Sequence, residues 1–576
     1  MRKNHYGYML SVFALLLNYS CGEDWLEVVP KDTLNLHTLA NESDIDALLV
    51  GAYSLLDGVS YQYGWEAASS NWLYGDIRGL VGNKGTDAGD SGYENPIMTY
   101  SETASQPHLN IKWREVYEAI ARCNLAISAT QLALEKSNIT GEQAESFLRQ
   151  ARALRGWYHF EAWRMWEKIP YVDENTDQQT LTNADDIRDR IISDLTEGTL
   201  LPNNMGQVGR FNGTVCRVLL AKALMHMYHD YAAALPLLQE VKTTGTKPNG
   251  APIGLAPTYG EVFDIVNRNG IESVYTVQYS VNDGSGGWNG GWGEVLNFPY
   301  KGGGASPGGC CGFFQPTQEF VNSFRTSAGL PLLDFTYNDD PVLSDQGLAP
   351  SDPSYVEDPG PLDPRLDWSV GRRGIPYWDW GIHTGSDWVR DQSYAGPYSP
   401  KKQVYKKSQE GKYTEVGSWT SGWTANGYRM IRYADVLLLL AECQIETGDL
   451  PGALTNVNAV RARAANPTGF VTEADGVTPA ANYQIGLYPA FPDVLFARNA
   501  LYMERKLELG MEGHRWFDLN RWGITVEELN RALTYEKSMP WGSSMDGHAA
   551  VGPEDVTYPI PQRQIDLSHG RLEQNR

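Results

Sequence analysis

Aromatic side chains with acids, amides and cations set between them are the most telling chemistry in this 576-residue chain. Residues 58–96 carry Tyr61, Tyr63, Trp65, Trp72 and Tyr74 beside Asn71, Asp76, Lys84, Asp87 and Asp90. Residues 284–312 hold 12 glycines around Trp288 and Trp292, and residues 377–390 add Tyr377, Trp378, Trp380, Trp388 and Arg390. A sugar ring offers weakly polarised C–H groups on one face and hydroxyls around its rim. Indole and phenol rings give a flat apolar platform for the face, and carboxylates, amides and guanidinium groups give directional hydrogen bonds for the rim. Trp65, Asn71, Trp72, Asp76 and Asp87 are therefore expected on one wall of a saccharide site. Trp288, Trp292, Tyr377, Trp378, Trp380, Trp388 and Arg390 are expected on the other. For any single indole the competing role is to pin a glycine-rich loop as a small satellite core.

Cys310 and Cys311 are adjacent and flanked by Gly308, Gly309 and Gly312. Outside the cytoplasm such a pair can close an eight-membered disulfide ring, a stiff apolar plate able to stack on a sugar, so both join the candidate site. Cys123, Cys216 and Cys443 fall in helical patterns and are expected to be plain buried thiols. Asp334-Phe-Thr-Tyr-Asn-Asp-Asp340 sets oxygens in a loop as calcium sites do, but without the spacing of a known calcium loop. A solvated acidic turn is expected there and no cofactor is assigned, with a calcium ion as the alternative reading of this loop.

Glu504, Arg505, Glu508, Glu512, His514, Arg515, Asp518 and Arg521 look like an acid/base cluster, yet helical spacing turns such residues into ion pairs that fix packing. No His-Glu-x-x-His, G-x-S-x-G or P-loop pattern occurs, so no catalytic residue is assigned. A glycoside hydrolase stays open as an alternative, because Asp367, Asp379 and Asp387 neighbour tryptophans. A peptide-binding protein is the other alternative. With 47 Lys and Arg against 70 Asp and Glu, a net charge of −23 argues against a nucleic-acid partner.

The elements that must position these loops are helices. In 143–167, Phe147, Ala151, Leu154, Tyr158, Ala162 and Met165 recur at three- and four-residue steps, with Arg149, Arg152, Arg155 and Glu161 off that stripe. Residues 110–131 and 213–243 continue the pattern. In 429–464, Val436–Ala441 is apolar all round and predicts a buried helix. Gly448 then stops it, Asp449 caps the next, and Ala453, Val457, Val460 and Ala464 give that helix its inner face. This is a tetratricopeptide-like hairpin. Between 246 and 425 helical periodicity gives way to Gly, Pro and eight of the 18 tryptophans, so the loops there are expected to be functional. The expected organisation is a mainly α fold with a helical part at 21–245, a loop-rich insertion at 246–425 and a second helical part at 426–576.

Residues 1–20 carry Arg2 and Lys3, then an apolar run from Tyr8 to Leu17 that is too short to span a bilayer, then Ser20 before Cys21. This resembles a bacterial lipoprotein signal, with Cys21 as the lipid attachment site. Gly22-Glu23-Asp24 resembles the surface-export signal of Bacteroidetes lipoproteins.

Four further segments carry a family resemblance. They are Ala151–Phe160 leading to Lys168-Ile-Pro-Tyr-Val172, Asn426–Asp435 with Leu437–Glu442, Glu504–Leu509 with Gly513–Trp522, and Tyr558-Pro-Ile-Pro561. With the lipoprotein start and Trp25–Pro30, their order resembles the SusD/RagB family from residue 21 to about residue 567. The resemblance implies a mainly α fold with tetratricopeptide-type helix pairs and a surface-exposed outer-membrane lipoprotein without bond-breaking activity. It also implies a SusC-like TonB-dependent β-barrel partner, over which the protein acts as a glycan-capturing lid. The matching motifs are structural, so no binding residue follows from them.

Overall fold

The computed structural model describes residues 36, 38–60, 64–300, 307, 310–417, 420, 422–547 and 550–576. The expected signal segment, Cys21, Gly22–Asp24, Trp25–Pro30, Tyr61, Tyr63 and Trp419 lie outside the described residues. Within them the chain is mainly helical, and no helix there is long and apolar enough to cross a membrane.

Among the described residues, eleven helices have eight or more residues: α1 (Glu42–Tyr53), α2 (Pro107–Glu135), α3 (Gly141–Trp166), α4 (Arg188–Gly198), α5 (Gly213–Tyr228), α6 (Tyr231–Thr244), α7 (Tyr433–Glu446), α8 (Leu450–Ala464), α9 (Val494–Leu509), α10 (Arg515–Trp522) and α11 (Thr525–Lys537). They pack in sequence-adjacent pairs, α2 on α3, α3 on α4, α5 on α6 and α7 on α8, and α6 also packs on α7. The strands are short and form five two-stranded antiparallel sheets.

Helix α3 begins with a full capping box, in which Thr140 accepts from the Gln143 N–H and Gln143 returns the bond. Its predicted stripe is the buried face. Two residues read as off that face are buried as well. Arg155 is clamped by Asp194 and Glu174, and Glu161 pairs with Arg164. The helix is covered by α2 on one side and α4 on another, so its second half has little solvent face left.

The 213–243 segment is two helices. His229 turns left-handed at φ 50°, and the Asp230 side chain caps α6 by accepting from the Ala233 N–H. The α7–α8 hairpin forms as its sequence predicts, with Gly448 at φ 89° and Asp449 accepting from the Gly452 N–H at 3.0 Å. Val436–Ala441 is buried all round.

The acid/base cluster of α9 and α10 is an internal ion-pair lattice. Arg432 reaches Glu272, Glu508 and Glu512, Arg365 reaches Asp363, Glu504 and Glu508, and Arg505 joins Asp435 to Asp518. Buried charges of this kind hold elements in one register, and removing one partner strands the other. The lattice ties the loop-rich insertion, through Glu272 and Arg365, to the C-terminal helices. A single hydrophobic core likewise draws side chains from all three expected parts, from Leu49 to Leu572.

Candidate functional site

Three aromatic groups stand on this frame. The first is a column in which Trp288 stacks on Trp292, with centroids 4.7 Å apart and planes at 20°. Trp292 in turn leans on Trp423 at 5.1 Å. Trp423 is buried, Trp292 is half-buried, and Trp288 at the free end is 39% exposed. One face of the Trp288 ring is thus spent on its neighbour, and its exposure leaves aromatic surface to solvent.

The glycines of this loop have a steric reason. At Gly287, with φ 86°, a Cβ would lie 2.6 Å from the Trp423 ring, so only glycine lets the loop wrap the indole. The loop is cinched by Asn289, which donates to Asp283 at 2.8 Å, and by Ser280, whose N–H donates to the Asn289 carbonyl at 2.7 Å. Hydrogen bonds from Ser285 and Asn289 hold the Asp283 carboxyl below its ordinary value, so it stays an acceptor.

Trp65 is half-buried in a short helical turn, Trp65–Ala67, that packs against the turn Trp292–Glu294. Trp72 lies beneath, 1% exposed, and its indole N–H donates to the Gly293 carbonyl at 2.8 Å. Asn71 is also buried and donates to Glu161 at 3.2 Å. Asp76 is fully buried and accepts from the Gly513 and Arg515 backbone N–H groups at 2.7 and 3.2 Å. Asn71, Trp72 and Asp76 were expected on a ligand wall, and the structure corrects this. They are internal, because the segment Trp72–Ile77 is a helical turn buried at every residue against α10 and the short helix Asn95–Met98.

The second group is polar. Strand β1 (Gly82–Gly85) pairs with Phe313–Pro316, with Gly85 opposite Phe313. That register brings the 86–90 loop, Cys310–Cys311 and Arg390 together across more than 200 residues of chain. Cys310 and Cys311 are joined by a disulfide. Beside it, Gly312 sits against Tyr300 and Arg390, and its carbonyl accepts from the Thr86 N–H at 2.6 Å. Arg390 is exposed, bonds Asp87 at 2.8 Å and also Asp90, and lays its guanidinium 5.4 Å from the Tyr300 ring centre. Desolvation pushes the Asp87 carboxyl up, but the N–H groups of Asp90 and Gly89 and the Arg390 and Lys84 charges together hold it below its ordinary value. Lys84 reaches from below, donating to the carbonyls of Asp87 and Asp90, both at 2.7 Å. Burial lowers its pKa.

The third group is mostly core. Tyr377 and Trp388 are buried edge to face at 5.4 Å, and both were expected on a wall. The Tyr377 hydroxyl donates a hydrogen bond to the Pro400 carbonyl, so neither ring is offered to a ligand. Trp378 and Trp380 are half-buried and donate their indole N–H groups to the Lys401 and Tyr405 carbonyls. The 377–388 indoles chiefly pin loops, as buried aromatic edges do.

The expected residues that share a surface are thus Trp288 with Trp292 and Trp65, and Asp87 with Arg390 and the half-buried Cys310, whereas Cys311, also expected at the site, is 6% exposed and packs into the hydrophobic core. Sequence reasoning did not single out Tyr300 or the role of Asp90. Tyr300 precedes a glycine run, a signal that an aromatic side chain borders a bend.

At Asp334–Asp340, Asp334 accepts from Thr336 while Tyr337 turns inward to Glu319. Among the described residues, no three His, Cys, Asp or Glu side chains converge as a metal site would need.

Residues 271–576 match the model of the SusD family, and residues 24–222 match one described as starch-binding, associating with the outer membrane. The chain belongs to the SusD family. A SusD-like protein of Formosa agariphila is 22% identical over 592 residues, spanning 98% of this chain and 97% of that protein. A SusD homolog from Bacteroides thetaiotaomicron superimposes with a TM-score of 0.66 at 22% identity, covering 96% of this chain and 99% of its own. Surface glycan-binding protein A of the same organism, solved in complex with laminarihexaose, gives 0.65 at 20% identity, with 93% and 99% covered. The mainly helical fold is the one these structures share.

Proposed function

We propose that this chain is a cell-surface glycan-binding lipoprotein, anchored to the outer membrane through Cys21. In this reading it captures oligosaccharides and delivers them to a SusC-like TonB-dependent β-barrel transporter. The observation that carries the binding step is Trp288, an exposed indole stacked on Trp292, which leans on Trp423, in a loop that also carries the exposed Asp283 and Asn289. That arrangement supplies a stacking face with hydrogen-bonding groups in the same loop. The partly exposed Asp87–Arg390 pair adds further hydrogen-bonding groups. Family membership supports the reading, as do the relatives described as glycan-binding, one of them bound to laminarihexaose.

Two of the three carboxylates that left hydrolysis open are committed to structural bonds. Asp367 is buried and bidentate with Arg372, and Asp379 accepts from the Lys407 and Ser408 backbone N–H groups. Neither is placed as a free acid or nucleophile.

An open, wet site of this kind gives micromolar-class affinity, roughly −8 kcal/mol. Calorimetry with laminarihexaose and a panel of other neutral glycans tests it. Trp288→Ala is expected to weaken binding of the recognised glycan about tenfold, or roughly 1.4 kcal/mol, with the melting temperature unchanged. Equal affinity in wild type and variant would remove the column from the site. Recovery of a barrel protein on purification from detergent-solubilised membranes tests the delivery step, and repeated absence of one would count against it.

A further inference from the structure

A cleft of about 820 Å³ opens among α9, α10 and α11, and it shares no residue with the aromatic loops. That volume is within the range of small-molecule sites. Two aromatic surfaces face it. Tyr502 stacks on Trp522 with centroids 3.8 Å apart and planes at 17°. Phe335 is 40% exposed, stands in left-handed backbone at φ 65°, and carries the Arg531 guanidinium 3.9 Å from its ring centre. The rest of the Phe335 ring stays open to the cleft.

The cations of the cleft are all neutralised. Arg498 pairs with Glu446, Lys506 with Glu319, Arg515 with Glu528, Arg521 with Glu442, and Arg531 with Glu319 and Glu528. An anionic ligand would find no unspent positive charge there. Hydrogen-bonding capacity does remain. Among the described residues, no hydrogen bond or ion pair takes up the side chains of Tyr231, Asn499 and Glu527 or the Tyr502 hydroxyl.

We propose that this cleft is a second binding site, for a short neutral oligosaccharide. Flat aromatic faces meet the C–H faces of the sugar rings, and neutral hydroxyl and amide groups with one acceptor carboxylate meet the rim hydroxyls. The proposal rests on the same stacking chemistry as the loop reading but on none of its residues, so the two can fail separately.

The test is calorimetry and hydrogen exchange on the purified full chain, with laminarihexaose and maltohexaose as probes. The expected result is saccharide-dependent protection of residues 498–503 and 520–531 that survives Trp288→Ala. Phe335→Ser should weaken it at least tenfold, and Asn499→Trp, which fills the cleft from an exposed position, should abolish it. Both variants should melt with the wild type. Protection that appears only in the 283–295 loop and vanishes in Trp288→Ala would overturn the cleft and leave the loop site standing. Protection confined to the cleft would overturn the loop site instead. No protection of the cleft by either probe overturns this proposal.

Discussion

The indole N–H of Trp72 donates to the carbonyl oxygen of Gly293 at 2.8 Å, joining residues 221 apart in sequence. This bond fastens the turn that carries Trp292, and through it the exposed Trp288, to the buried helical turn Trp72–Ile77. Trp72 therefore positions the platform without being part of it.

Trp72→Phe removes that donor, leaves the Gly293 carbonyl unpaired in a buried place and opens a small void. A loss of about 1–4 kcal/mol is expected. Denaturant unfolding measures it, and hydrogen exchange should quicken at residues 291–296. A variant as stable as wild type, with that segment equally protected, would show that the platform is held by other contacts.

Asp76 has a different task, accepting the backbone N–H groups of Gly513 and Arg515 where α10 begins. Asp76→Ala strands two buried donors and should cost about 2–5 kcal/mol. Burial pushes the Asp76 carboxyl up to about 7 despite those two bonds, which go to different oxygens, so Asn keeps one acceptor and turns its NH2 toward the other N–H. Asp76→Asn should still lose about 1–3 kcal/mol, from the one buried N–H left facing a donor. Glycan affinity of the folded Asn variant should match wild type.

Lys84 holds the 86–90 loop by bonds to the Asp87 and Asp90 carbonyls. Lys84→Met keeps the aliphatic stem but orphans both acceptors, and should cost about 1–3 kcal/mol. Exchange at residues 86–91 should quicken, and the Asp87–Arg390 pair should lose its fixed position. Unchanged exchange there would place the loop under other control.

Lys401 is buried, and its ammonium donates to the Asp367 and Pro376 carbonyls. Burial lowers its pKa to about 7, against the attraction of Asp367. The unfolded chain, with an ordinary lysine value near 10.4, therefore binds more protons between those two values. Stability from this group must rise with pH across about 7 to 10. The stability difference between wild type and Lys401→Met, measured in denaturant at each pH, should grow in favour of wild type over that window and be flat below it. A flat difference throughout would mean that the ammonium is not desolvated.

Local pattern was enough to read the helices of this protein. The stripe from Phe147 to Met165, the Gly448–Asp449 junction and the apolar run Val436–Ala441 depend on spacing and on caps a few residues long, and such information is carried by neighbouring side chains. The helix-spaced charges from Glu504 to Arg521 were legible as packing for the same reason. The aromatic loops were legible only as a composition. Trp72 and Trp288 are the same residue type in similar glycine-bearing surroundings, yet one is sealed and the other open. Burial there is set by which distant segment lands on which ring: Gly293 on Trp72, and Trp292 under Trp288. The grouping of Asp87, Cys310, Cys311 and Arg390 depends likewise on the Gly85–Phe313 register, a long-range pairing that no short stretch of sequence encodes. The cleft beside Tyr502 arises only when α9, α10 and α11 meet, because a concavity belongs to the packing of elements and not to any one of them.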